Sequence, residues 1–169
     1  MKTCYVMVGL PGLGKSTYIR ENLMGPNAFV YSTDDIIEEN ARQLGRTYDE
    51  HWSSKSFLKA LKIADRRLNE AIEEGKDIIF DQTNIRREKR IRIVDVMRKD
   101  GYEKIVYVYF VAPDNDEDHK QWENRLLYRE ENEGKSIPVN VLCDMINRFD
   151  VPNQDEGFDQ MLTISISGE

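Results

Sequence analysis

The chain has 169 residues, of which 40% are hydrophobic and 33% are charged, a balance typical of a globular protein with one hydrophobic core. Its formal net charge of −7 argues against a protein that coats duplex DNA, because such binding needs a broad basic surface. Every apolar run is shorter than the roughly 18 residues of a membrane-spanning helix, so we expect no membrane contact.

Strand and helix signals alternate along the chain, which is the pattern of a parallel α/β sheet. The middle strands are near-continuous apolar runs, as expected of strands covered on both faces, whereas the last one alternates and is expected nearer an edge. We therefore expect about five parallel strands flanked by helices. The predicted strands are Cys4–Val8, Ala28–Tyr31, Asp77–Phe80, Lys104–Val111 and Leu162–Ile166. The predicted helices span 15–23, 34–44, 53–74, 86–99, 117–132 and 139–148, with Gly75, Gly101 and Gly134 just beyond three of them.

A glycine-rich segment follows the first strand and opens the first helix. It reads Gly9-Leu-Pro-Gly-Leu-Gly-Lys-Ser16 and fits G-x-x-x-x-G-K-[ST] in the strand–loop–helix context that this pattern requires. The glycines let the backbone point N–H groups at phosphate oxygens, Lys15 can reach the β- and γ-phosphates of ATP, and the Ser16 hydroxyl can hold Mg²⁺. The alternative is a glycine-rich turn that binds nothing. We predict an ATP site formed by Gly9, Leu10, Pro11, Gly12, Leu13, Gly14, Lys15, Ser16 and Thr17.

Polar clusters also follow the second and third strands, and parallel sheets bind ligands beyond the carboxyl ends of their strands. Asp34 and Asp35 follow the second strand. Either can serve a helix N-terminus, but a carboxylate here is also placed to accept a proton from an acceptor hydroxyl during phosphoryl transfer. We assign Asp34 as the catalytic base and Asp35 as the helix cap.

The cluster after the third strand is Asp81-Gln82-Thr83-Asn84. Asp81 ends an apolar strand close to the phosphate loop, so we expect it to assist Ser16 at Mg²⁺ or to contact the acceptor. Thr83 and Asn84 are candidate acceptor contacts, with a turn and the N-cap of the next helix as the alternative.

Two groups of basic residues complete the candidate site. Arg86, Arg87, Lys89 and Arg90 crowd the start of a helix, where the helix dipole disfavours cations, and this indicates an anionic partner such as the acceptor. The alternative is an ordinary solvated face. Arg125 and Arg129 are four residues apart on one helical face and suit the spread negative charge of a phosphoryl transition state. Their alternative role is to pair with neighbouring glutamates.

Cys4 and Cys143 are the only cysteines, and they fall in a predicted core strand and a predicted helix. We expect buried free thiols rather than a disulfide, as in a reducing cytoplasm. The first strand begins directly after residue 3, so we expect no signal peptide and a cytoplasmic location. The two cysteines and two histidines are widely scattered, which argues against a zinc site.

These motifs together resemble the kinase domain of the polynucleotide 5′-hydroxyl kinases of phage and animal type, nearly from end to end. The resemblance rests on the phosphate loop, the Thr33-Asp34-Asp35 step and the D-x-T-N turn at 81–84. It extends to Asn124-Arg125 with Arg129, Ile137-Pro138-Val139, and the terminal pattern F-x-x-P-x-x-x-E-G-F from Phe149 to Phe158.

The resemblance implies a single P-loop kinase domain over 1–169, with a helical lid at about 114–137. It implies ATP- and Mg²⁺-dependent transfer of the γ-phosphate to the 5′-hydroxyl of a DNA or RNA end. Asp34 matches the family's general base, Lys15 and Ser16 its phosphate and Mg²⁺ contacts, and Arg129 with Arg125 its lid arginines. The phosphatase motif D-x-D-G-T is absent, so any end healing is expected to be by the kinase alone. No protein partner is evident.

The chain departs from the phage-type pattern at Ile37, where those enzymes carry an arginine three residues after the base. This departure and the acidic composition keep a second acceptor class open: a modified base in DNA, a tRNA-linked group or a small metabolite. A third possibility is a nucleotide-binding module that drives an interaction, which would need no acceptor base.

Overall fold

A computed structural model of the chain describes residues 1–166. Its sheet has five parallel strands in the order β2-β3-β1-β4-β5. The predicted fold class and the edge position of the last strand are both confirmed. The strands are β1 (Thr3–Val8), β2 (Ala28–Tyr31), β3 (Asp77–Phe80), β4 (Lys104–Phe110) and β5 (Gln160–Ile164).

Helices connect these strands, and the six predicted ones are confirmed to within one residue at each end. Gly75, Gly101 and Gly134 have positive φ angles, as expected of glycines that end helices. Two short elements were not predicted: a four-residue helix at Tyr48–His51 and a 3₁₀ turn at Gln154–Glu156. Elements this short show no hydrophobic periodicity. The α-helices are α1 (Lys15–Tyr18, continued by a π-helical turn at Ile19–Leu23), α2 (Thr33–Gln43), α3 (Tyr48–His51), α4 (Ser54–Glu73), α5 (Arg87–Lys99), α6 (Asp116–Glu133) and α7 (Val139–Asn147).

Alternate residues of the strands point to opposite faces of the sheet, so two hydrophobic clusters form. Val6 and Tyr107 join the cluster beneath α2, α4 and α5, whereas Met7 and Val108 join the cluster beneath the phosphate loop. Both cysteines are free thiols: Cys4 is buried, but Cys143 is exposed, so the predicted burial of the second one is wrong. Within residues 1–166, no helix has the length and apolar character needed to span a membrane.

Backbone hydrogen bonds join the loops at the carboxyl ends of β1, β2 and β3. The Gly9 amide donates to the Thr83 carbonyl at 2.9 Å, and the Asp81 amide donates to the Tyr31 carbonyl at 2.9 Å. The three polar clusters found in the sequence therefore converge at one edge of the sheet, as expected for parallel strands.

Candidate active site

The phosphate loop is fixed between β1 and α1 by its apolar residues and by its glycines. Leu10 and Leu13 are buried in the core, which anchors the loop backbone. Gly14 has a φ of 98°, in the left-handed region that favours glycine. Gly9 lies so close to β4 that a Cβ placed on it would be 2.8 Å from Phe110 Cβ. The loop is thus held open as a backbone cradle.

Lys15 lies inside this cradle. Its Nζ donates to the Gly9 carbonyl at 2.8 Å and to the Leu10 carbonyl at 2.7 Å. Burial lowers the pKa of Lys15 to about 8; the charge of Asp81 opposes this shift, and Arg129 adds to it. Lys15 is thus a buried cation held by neutral carbonyls, an arrangement that an anionic phosphate would stabilise.

Ser16 and Asp81 lie side by side, as the metal assignment requires. The Ser16 hydroxyl donates to Asp81 Oδ2 at 3.2 Å. Burial raises the pKa of Asp81, while Lys15 and the Ser16 hydrogen bond partly offset that rise. No group of three or more His, Cys, Asp or Glu side chains suited to a metal occurs in the described part of the chain. A hydroxyl and one carboxylate fit Mg²⁺, which takes oxygen ligands and usually relies on water and substrate phosphates for the rest.

Asp34 lies in the exposed first turn of α2, where Tyr48 of α3 reaches it. The Tyr48 hydroxyl donates to Asp34 Oδ1 at 2.7 Å, which leaves Oδ2 for an acceptor. The assignment of Asp35 as the helix cap is wrong, since the cap is Ser32, whose Oγ accepts from the Asp35 amide at 3.2 Å. Burial raises the pKa of Asp35, and the charge of Asp81 adds to that rise.

Asn84 is not the N-cap of α5, so that alternative assignment is wrong. Its side chain is buried and donates to the Met7 carbonyl at 2.7 Å, and its backbone has a φ of 45°. Asn84 therefore ties the end of β3 to β1, and the N-cap position of α5 belongs to Arg86. Thr83 remains a candidate contact, with its carbonyl bonded to the phosphate loop.

The basic run at the start of α5 finds its anionic partners within the chain itself. Arg90 and Glu156 form a fully buried pair, with Nε 2.8 Å from Oε1 and Nη2 3.1 Å from Oε2. Arg87 Nη1 lies 2.6 Å from Asp155 Oδ1, and Arg86 Nε lies 3.5 Å from Asp150 Oδ2. The terminal F-x-x-P-x-x-x-E-G-F segment thus neutralises this run, which weakens the inference that the run marks an external anion.

Of the two predicted arginines of α6, Arg125 reaches the phosphate loop. A Cβ placed on Gly14 would lie 3.5 Å from Arg125 Nη1, so that guanidinium lies over the loop. The Trp122 indole N–H donates to the Pro11 carbonyl at 2.7 Å and fixes α6 against the loop. Arg129 is close enough to lower the pKa of Lys15 by its charge, and its Nε is 4.0 Å from Glu133 Oε2.

Sequence reasoning missed two side chains that border Asp34: Tyr48 and Lys135. Lys135 Nζ lies 2.7 Å from Glu38 Oε2 and 5.6 Å from the centroid of the Tyr48 ring. Burial raises the pKa values of Asp35 and Asp81, and the charge of Lys135 opposes part of that rise. Its position just after Gly134, which ends α6, was visible in the sequence, but no pattern predicts that the turn folds back onto α3.

The family model AAA_33, described as an AAA domain, matches residues 5–152. The chain is 24% identical over 166 residues to the "Putative bifunctional polynucleotide phosphatase/kinase" of Acanthamoeba polyphaga mimivirus, covering 97% of this chain and 33% of that protein. It is 27% identical over 160 residues to the L-seryl-tRNA(Sec) kinase of Methanococcus maripaludis, covering 91% of this chain and 55% of that protein. The chain thus spans between a third and about half of these relatives' lengths.

Among solved structures, one described as a putative kinase from Chloroflexus aurantiacus superposes with a TM-score of 0.66 at 18% identity. The match covers 97% of this chain and 85% of that one. At this identity the likeness concerns the fold, and it confirms the predicted P-loop kinase architecture.

Proposed function

Because the chain belongs to the AAA_33 family of AAA domains and unites a phosphate loop with a base and two arginines, we propose that it is a polynucleotide kinase. It transfers the γ-phosphate of ATP to the 5′-hydroxyl of a DNA or RNA end. The observation that carries this proposal is that backbone hydrogen bonds join the ends of β1, β2 and β3, so that Asp34, which follows β2, lies at the same edge of the sheet as the phosphate loop. An ATP-driven interaction module has no need for a carboxylate at that place.

In the proposed reaction, the loop amides and Lys15 bind the β- and γ-phosphates. The acceptor oxygen forms a bond to the γ-phosphorus as the bond from that phosphorus to the β–γ bridging oxygen breaks. The free Oδ2 of Asp34 takes the proton of the acceptor hydroxyl. Arg125 and Arg129, on the proposed lid at 114–137, stabilise the charge on the transferring group. Ser16 and Asp81 would hold Mg²⁺, which would neutralise charge at the phosphates when bound.

The polynucleotide acceptor is supported by the motif resemblance and by the name of the mimiviral relative. A second acceptor, a hydroxyl carried by a tRNA-linked group, is favoured by the tRNA kinase relative and by Ile37. Ile37 lies on the buried face of α2 and is fully buried, so its own side chain is not available to contact an acceptor. Both acceptors use the same base and loop, and the two proposals differ only in what supplies the hydroxyl.

The experiment is transfer of label from γ-labelled ATP to 5′-OH DNA, 5′-OH RNA, hydroxylated-base DNA, tRNA, seryl-tRNA and free nucleosides. Labelling confined to 5′-OH ends supports the first proposal and identifies the strand. Labelling confined to seryl-tRNA supports the second. Steady ATP hydrolysis that no acceptor stimulates would contradict both.

The base assignment predicts a specific loss in Asp34→Asn. We expect kcat to fall by about 10²- to 10⁴-fold, because the amide cannot take the acceptor proton, while the Kd for ATP stays within about twofold. Asp35→Asn is the matched control on the same turn of α2, and it should retain most activity. A near-normal rate in Asp34→Asn would contradict the assignment.

A further inference from the structure

We propose that Tyr48 is a positioning residue that orients the carboxylate of Asp34 for catalysis. This inference rests on the proposed function, because it concerns the same base. Tyr48 is contributed by α3, an element that lies between the α2 helix bearing Asp34 and the turn that follows α6. The sequence gives no reason to connect Tyr48 with the phosphate loop, since 14 residues separate it from Asp34.

The Tyr48 hydroxyl donates a well-formed hydrogen bond to Asp34 Oδ1, with the two oxygens 2.7 Å apart. Burial raises the pKa of Tyr48 and the charge of Asp34 raises it further, so the phenol stays protonated and remains a donor. Asp34 is exposed, so without this bond its carboxylate would rotate among its conformers. The bond holds Oδ1 and leaves Oδ2 available to accept a proton.

Tyr48 is itself held in place by neighbouring elements. Lys135 lies over its ring at 5.6 Å and pairs with Glu38 of α2 at 2.7 Å. The Gly134 carbonyl accepts from the Asp49 amide at 3.1 Å, and Asp49 Oδ2 accepts from the Ser136 amide at 2.9 Å. These contacts hold α3 against the turn that follows α6.

The turn that holds α3 ends α6, the helix that carries Arg125 and Arg129. Arg125 lies over the phosphate loop, so a single helix connects that loop with the turn that supports Tyr48. Orienting a reacting group in this way contributes to rate rather than to nucleotide affinity.

The test is a double-mutant cycle of Tyr48→Phe and Asp34→Asn, with initial rates followed by γ-labelled ATP. Tyr48→Phe keeps the ring and removes only the donor. We expect kcat to fall about 10-fold or more while the KM for ATP changes by less than about twofold. In the Asp34→Asn background the same substitution should cause no further loss, because the group that it orients is gone. Tyr128→Phe, an exposed tyrosine of α6, is the control and should stay within about twofold of the parent.

A wild-type rate in Tyr48→Phe, or an equal loss in both backgrounds, would overturn the inference and leave the proposed function intact. Failure of the parent chain to label any acceptor would contradict the proposed function itself. Intact-mass and peptide analysis after incubation with ATP and Mg²⁺ provides a further check. A phosphate on Tyr48 would show that its hydroxyl accepts the phosphoryl group instead of orienting the Asp34 carboxylate. That result would also overturn the inference.

Discussion

At the scale of single residues, the environment of Lys15 connects fold and chemistry most directly. The loop excludes water from the ammonium and offers it only two carbonyls, at 2.8 and 2.7 Å. Burial of a charged amine without a charged partner in contact disfavours the protonated form, which is why its pKa falls to about 8. A bound phosphate would reverse this effect, so nucleotide binding and protonation of Lys15 are coupled.

This coupling predicts how ATP affinity varies with pH. Binding raises the pKa of Lys15 from about 8, so affinity should be flat below pH 7 and weaken above pH 8. The loss approaches tenfold per pH unit as long as the bound form remains protonated. Titration calorimetry in buffers of different ionisation enthalpy should show uptake of nearly one proton at pH 9 and close to none at pH 7.

Lys15→Met is the control for that measurement. It should bind ATP more weakly at every pH, without the proton uptake at pH 9. Equal uptake in the variant would assign the proton to another group. Affinity that improves with rising pH would contradict the coupling altogether.

At the scale of elements, the long strands and helices were predictable and the short connecting pieces were not. The continuous apolar runs of β1, β3 and β4 reveal buried strands, whereas the mostly polar residues of α3 show no hydrophobic period. Arg90 and Glu156 were both visible, but their pairing across 66 residues depends on how α5 meets the terminal segment. Asn84 shows the same limit, since its sequence context suits a cap, a turn or a contact equally well.

The turn after α6 is the element whose contribution is most directly testable. Gly134 has a φ of 62°, and a Cβ on it would lie 2.6 Å from Thr47 Cβ, beside α3. Gly134→Ala should therefore displace the turn from α3 and lower kcat by about 10- to 100-fold, because small misplacements of catalytic groups carry large penalties. Transfer rates under saturating ATP measure the effect.

Gly75→Ala is a matched control for this prediction. Gly75 also ends a helix, has a φ of 72°, and has no atom within 4 Å of an added Cβ. Gly75→Ala should lose about 1 kcal/mol in the free energy of unfolding from left-handed strain, measured by urea titration. Gly134→Ala should lose more, because its added Cβ also meets Thr47. Equal rates in the two variants would show that the docked turn does not matter for transfer.

At the scale of the whole molecule, the distribution of charge limits how an acceptor strand can bind. The chain has a net charge of −7, and the arginines at the start of α5 are engaged by Asp150, Asp155 and Glu156. Among the described residues, basic groups near the phosphate loop include Lys15 and Arg125, and the charges of Arg129 and Lys135 act on Lys15 and Asp81, respectively. Recognition of a polynucleotide is therefore expected at the terminal nucleotides rather than along an extended basic surface.

This view predicts a weak dependence of acceptor binding on salt. A single strand releases counterions with a slope of about −0.7 for each phosphate neutralised, so two contacts give a slope of about −1.4 in log affinity against log salt. Kinetic measurement of the acceptor KM for oligonucleotides of increasing length should show that slope and a plateau after the first few nucleotides. Arg86→Ala should change the slope by less than one phosphate equivalent, because Arg86 lies 3.5 Å from Asp150. A slope steeper than about −3, or a KM that keeps falling with length, would reveal an extended phosphate-binding surface that these internal ion pairs argue against.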